Sequence, residues 1–304
     1  MLLTNLWPLS IGETKSTCDN FVDWLFGESK FRMGKLASSQ SELSWATLCK
    51  NIATGGYPEI QSKRSERDRQ LWFRSYIQTI IDRDIRELAH IEGLKTLPNL
   101  LKILAARTGR TLNYADLARE AGLPKTTIIR YVALFESTYL IISLPAWFRN
   151  LGKRLVKSPK VYFADTGIVS YLQGLNADKL IHDRAAAGFL YENFVCCELT
   201  KQLSWSNVIA DLYHFRTSEG HEVDFVLEGH NGKVIAIETK CTQAVDQQDF
   251  KSLRYFRELA GSNFHRGIVL YTGDNIVSFD SNLHAVPVSA LWQLGASRPY
   301  NIFV

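Results

Sequence analysis

Apolar residues in the first hundred positions recur mostly at helical spacing. Leu2, Leu3, Leu6 and Leu9 around Trp7-Pro8 are the exception and read as an apolar strand and turn. Gly55-Gly56-Tyr57-Pro58-Glu59 is a turn signal, because paired glycines permit positive φ and Pro58 fixes its own. Over residues 64–88, Leu71, Trp72, Tyr76, Ile80, Ile81 and Ile85 form one face of a long surface helix, with arginines and acids opposite. Leu100, Leu101, Ile103 and Leu104 predict a further helix that closes by Gly109. Residues 114–120 then predict a short amphipathic helix, Ala121-Gly122-Leu123 a turn, and Pro124 the start of a helix reaching Phe135. Ala118, Gly122 and Ile128 have the spacing of a small residue, a left-handed turn residue and a core residue in a helix-turn-helix. Residues 140–144, followed by Pro145, predict the strand and wing that complete a winged helix.

Farther along, Phe189, Leu190, Phe194, Val195 and Leu199 share one face of a helix over residues 185–205. Strand patterns follow at 212–215, 222–227 and 234–237, the last two joined by the hairpin signal Gly229-His230-Asn231-Gly232. An amphipathic helix at 250–259 and a buried strand at 267–271 complete the order helix, three strands, helix, strand. The expected class is α/β, in an α+β multidomain arrangement: 1–97 helical, 98–157 a winged helix, 158–304 an αβββαβ domain. No internal repeat or low-complexity segment occurs.

Composition narrows the function classes. A chain of 304 residues with 46% hydrophobic and 22% charged residues is neither wholly disordered, nor collagen, nor a coiled-coil rod. Cys18, Cys49, Cys196, Cys197 and Cys241 form no CxxC pair, so neither a zinc knuckle nor a disulfide framework is indicated, and a reducing cytosol is the natural setting. The best apolar stretch, 131–148, is interrupted by Glu136, Ser137, Thr138, Ser143 and Pro145, so no membrane partner is expected. Residues 1–10 lack the cationic start and apolar run of a secretory signal. The net charge of +4 says little, but residues 146–164 hold Arg149, Lys153, Arg154, Lys157 and Lys160 and no acid. That stretch suits an anionic partner, or is a solvated basic connector. With Lys125, Thr126, Thr127 and Arg130 on the second helix of the helix-turn-helix, it makes DNA the expected partner, a protein-contact role being the alternative.

The acids and lysine of the last segment converge by arithmetic. If the hairpin turn is centred on Asn231, position 224 lies opposite 238, which sets Asp224 and Glu238 face to face about 5 Å apart at Cβ. Lys240 shares the face of Glu238, while Ile235 and Ile237 project from the other. Two carboxylates suit Mg²⁺ or Mn²⁺, and an ammonium beside them can hold a water or the negative charge developing at phosphorus. Glu192, on the preceding helix, could complete the cluster.

Glu192, Asp224 and Glu238-Thr239-Lys240, in αβββαβ order, resemble the PD-(D/E)XK or restriction-endonuclease-like superfamily. Further motifs widen the likeness: Gly55-Gly56-Tyr57-Pro58-Glu59, Arg83-Asp84, Tyr139-Leu140, Lys157-Ser158-Pro159-Lys160-Val161-Tyr162-Phe163, Asp165-Thr166-Gly167 and Tyr191-Glu192-Asn193-Phe194. Together these resemble the prokaryotic AAA-type ATPases that end in a domain of unknown function with that nuclease-like fold. The resemblance implies that Leu6-Trp7-Pro8-Leu9-Ser10 with Gly12-Glu13 is the tail of an ATPase core, and that the region around Gly55 is its helical lid. It implies Asp224 and Glu238 as metal ligands, Lys240 as the residue that positions the attacking water, and Glu192 as support.

The chain departs from those ATPases in one respect. A phosphate loop needs Gly-x4-Gly-Lys-Ser/Thr, and the nearest approach, Gly27 to Gly34-Lys35, has the wrong spacing and Leu36 where the hydroxyl belongs. No ATP site is therefore expected, and the chain looks like a form without the nucleotide-binding part. Two functions follow: a DNA-associated, metal-dependent phosphodiesterase, or an inactive binding or regulatory module in which Lys240 is ion-paired with Glu238 and Asp224. No Gly-x-Ser-x-Gly elbow occurs, and His214, His221 and His230 are expected as exposed strand-end residues.

Overall fold

A computed structural model describes residues 5–17, 20–28, 34–35, 44–89, 94–148 and 158–294. The protein mixes helix and sheet and splits into two compact units, each discontinuous in sequence. A sheet unit comprises Met1–Leu48, Pro145–Lys157 and Val195–Val304, and a helical unit comprises Cys49–Leu144 and Ser158–Phe194. The two units are interleaved along the sequence. No described helix is long and apolar enough to cross a membrane, and the four described cysteines are free thiols.

The strands, in chain order, are β1 (Gly34–Lys35), β2 (Ile141–Leu144), β3 (Lys160–Phe163), β4 (Ala210–Arg216), β5 (Glu222–Gly229), β6 (Val234–Lys240), β7 (Phe264–Tyr271), β8 (Asn275–Asp280) and β9 (Leu283–Pro287). In the sheet unit seven of them order as β1-β8-β9-β7-β6-β5-β4. β4, β5 and β6 run antiparallel through hairpins, whereas β6 pairs β7 in parallel. A parallel pair needs a crossover, and the helix Lys251–Ala260 supplies it. Val226, Val234 and Ala236 pack with Phe250, Leu253 and Phe256 of that crossover in one core. Ile235, Ile237, Phe225 and Leu227, at the alternate positions, are fully buried as well. Strands covered on both faces lose alternation and read as continuous apolar runs, as β6 and β7 do.

In the helical unit, the helix Glu66–Thr79 continues through a π-helical turn at Ile80–Ile85 into Arg86–Ala89. Its buried stripe is Phe73, Ile77, Ile81 and Ile85, with Leu71 50% exposed. The helix is where the sequence predicts it, but the buried face is rotated by one residue from Trp72 and Tyr76, which stack on each other near the surface. The helix Tyr114–Ala121 ends at Gly122 in the left-handed conformation, φ 65°, and a second helix occupies Lys125–Ser137 with Ile128 buried. β2 then pairs antiparallel with β3. Of the predicted amino-terminal strand and turn, Leu2 and Leu3 lie outside the described residues, and residues 5–10 have no strand; Ser10 caps a short helix at Ile11–Thr14 by accepting from the Glu13 N–H. His214 is also corrected, being buried in β4.

Candidate functional site

The β5–β6 register decides the geometry in the sheet unit. Phe225 pairs Ile237 and Glu228 pairs Val234, so the hairpin is centred on Asn231 and Asp224 stands across from Glu238, as the arithmetic requires. Asp224 is buried, and its Oδ2 accepts the Thr239 N–H at 2.9 Å and the Thr239 hydroxyl at 2.7 Å. Lys240 Nζ lies 3.3 Å from Glu238 Oε1 and 3.9 Å from Asp249 Oδ1. Burial works against the charge on Lys240, but Glu238, Asp224 and Asp249 outweigh it and raise the ammonium above its ordinary pKa.

Asp249 is the member of this cluster that sequence reasoning missed. Its other oxygen accepts the Asp246 N–H at 2.9 Å, closing a capping box on the turn before the crossover helix. An acid three residues after Asp246 was the available signal. Asp224 and Glu238 offer hard oxygens on one sheet face, a donor set that fits Mg²⁺ or Mn²⁺. Among the described residues no group of three or more His, Cys, Asp or Glu side chains could hold a metal, so further donors would be main-chain or water oxygens.

Glu192 belongs to the helical unit, where its Oε1 accepts Lys160 Nζ at 2.9 Å and the Tyr162 hydroxyl at 2.6 Å. Asn193, fully buried beside it, binds the main chain of Phe163 as a strand would: Oδ1 accepts the N–H at 2.8 Å and Nδ2 donates to the carbonyl at 2.9 Å. The two motifs Lys160–Phe163 and Tyr191-Glu192-Asn193-Phe194 therefore meet and hold β3. A second meeting joins the paired glycines to Asp165-Thr166-Gly167. Asp165 caps the helix Thr166–Gln173 through the Gly167 N–H and also accepts the Gly56 N–H at 2.6 Å. A Cβ on Gly55, at φ +77°, would run into the Asp165 carboxylate.

The expected nucleic-acid residues divide three ways. Lys125, Thr126 and Arg130 are exposed on the helix Lys125–Ser137, with Thr127 half-buried. Arg149, Lys153, Arg154 and Lys157 lie outside the described residues. Lys160 is corrected: its side chain is 1% exposed and paired with Glu192, so it is no part of a basic surface.

Comparison with known proteins adds two family models, both domains of unknown function: DUF8612 over residues 46–179 and DUF4143 over residues 187–291. The uncharacterized protein Rv2008c of Mycobacterium tuberculosis is 28% identical over 242 residues, covering 80% of this chain and 53% of its own length. An uncharacterized protein of Methanocaldococcus jannaschii, MJ1544, is 23% identical over 286 residues, covering 90% and 61%. The chain thus spans between half and two thirds of the length of these relatives. No solved structure matches.

Proposed function

We propose that this chain is a DNA-associated protein whose sheet unit carries a metal-dependent phosphodiesterase site of the restriction-endonuclease-like kind. The observation that supports the reading is the hairpin register, with Asp224, Glu238 and Lys240 grouped towards the carboxyl end of β6, where Lys240 is one-third exposed. Asp224 and Glu238 would hold Mg²⁺ or Mn²⁺, which supplies Lewis-acid polarisation of the phosphate when bound. Thr239 keeps the Asp224 carboxylate turned toward β6, and Lys240 places its ammonium where negative charge develops at phosphorus. The winged helix brings the duplex, and the DUF4143 match together with the shared motifs supports kinship with AAA-type ATPases.

Incubating the full chain with single-stranded, double-stranded and structured DNA in Mn²⁺ or Mg²⁺ tests this. Asp224→Asn and Glu238→Gln should abolish both metal binding and cleavage, whereas Lys240→Ala should spare metal binding and slow cleavage. A parent inert on every substrate with either metal overturns the phosphodiesterase reading. The ion-paired state of Lys240 and the hold of Thr239 on Asp224 favour a second reading, an inactive DNA-binding or regulatory module derived from such ATPases.

A further inference from the structure

The helix Lys125–Ser137 buries Ile128, Tyr131, Val132 and Phe135 and turns Lys125, Thr126, Ile129, Arg130 and Ala133 outward. Ile129 stands out on that face. It is 43% exposed, a β-branched apolar side chain between Lys125 and Arg130, with Ala133 on the same face. Neither helix propensity nor core packing asks for isoleucine there, since its buried neighbour Ile128 already fills the core position. From Ala121 to Phe135 the chain holds Lys125 and Arg130 and no acid, a positive balance that complements a polyanion. An exposed aliphatic side chain between cations on a helix that follows a left-handed glycine turn fits one feature of duplex DNA, the C5 methyl group of thymine in the major groove.

We infer that Ile129 packs on thymine methyl groups, so that this helix prefers T-bearing duplex over the same duplex without the methyl. The inference rests on the DNA reading above and names the chemistry that the helix would recognise. Lys125 and Arg130 supply sequence-independent attraction to phosphate, which positions the helix, and Ile129 supplies the discrimination.

The experiment measures binding of the full chain to alternating d(AT) and alternating d(AU) duplexes at low salt, in which every register presents either a methyl or a hydrogen at C5. The parent should bind the thymine duplex about fourfold more tightly for each methyl covered, the size of burying one methylene equivalent. Ile129→Ala, at an exposed position that leaves the core untouched, should bind the two duplexes equally, and Ile129→Val should retain most of the preference. Salt-sensitive binding that ignores the methyl group, or a preference that survives in Ile129→Ala, overturns the inference and leaves the DNA reading standing. Absence of binding to either duplex at low salt overturns both.

Discussion

Lys160 with Glu192 in the helical unit and Lys240 with Glu238 in the sheet unit are the same two residue types at similar separations, 2.9 and 3.3 Å. Their surroundings differ. The Lys160 side chain is 1% exposed, and Glu192 takes a tyrosine hydroxyl in addition to the ammonium. The Lys240 side chain is 33% exposed, and three carboxylates raise its pKa. An ion pair shut away from water is paid for in desolvation and is strongly destabilising when only one partner is removed, so the first pair is architecture. The second keeps access to solvent and an excess of negative charge, which is what a cation or a phosphate-bearing ligand could exploit. The same two residue types thus separate by the burial of the lysine and by the groups around each pair.

The largest effect should come from breaking the buried pair. Glu192→Ala should cost about 3–5 kcal/mol in urea unfolding, because Lys160 is left charged and dry. Glu238→Ala should cost about 1 kcal/mol or less, since water replaces the lost partner. Equal losses would erase the contrast between the two sites.

A second effect separates the units by their response to acid. Burial, and after it the nearby Arg266, lowers His284 in β9 to a pKa of about 4, with Asp280 opposing. The unfolded histidine binds its proton near pH 6.5, so the unfolded state takes up more protons between those values. Stability contributed by neutral His284 is therefore intact above about pH 6.5 and is lost as pH falls toward 4. The loss should be on the order of 2 kcal/mol, and His284→Gln should flatten it in unfolding curves taken at pH 7 and pH 4.5. A pH response unchanged in that variant would place the acid sensitivity elsewhere.

The smallest effect lies in the helical unit, where Tyr139 follows the helix Lys125–Ser137 at φ 55°, a conformation that suits glycine. Tyr139→Gly should leave the fold intact and stabilise it by up to about 1 kcal/mol, read as a raised thermal midpoint, and a lowered midpoint would show that the ring's contacts outweigh the strain.

The parts of this architecture that local pattern encodes were readable in advance. The β5–β6 register followed from one turn and gave Asp224 and Glu238 their positions, and the bounds of the two helices around Gly122 followed from a glycine and a proline. What escaped depends on distant partners. Lys160 reads as one more cation in a basic stretch, because the glutamate that neutralises it is brought in by another helix. β8 was not foreseen, since its mostly exposed residues offer no apolar run and only pairing with β9 and β1 makes it a strand. The long helix was placed correctly, with Ile81 and Ile85 on its inner face as the pattern predicts, but Phe73 and Ile77 are buried where Trp72 and Tyr76 were expected, because those two rings pack with Tyr57, a partner the local pattern does not reveal.

The interleaving of the two units bears on how the chain comes off the ribosome. Among the described residues β1, at Gly34–Lys35, pairs with β8, at Asn275–Ile276, so this strand waits for a partner that is synthesised much later. The helical unit is likewise interrupted by residues 145–157, which belong to the other unit. Neither unit can close until the segments on both sides of its interruption have emerged, and a ribosome stalled between them would hold an open sheet edge that invites chaperones or aggregation.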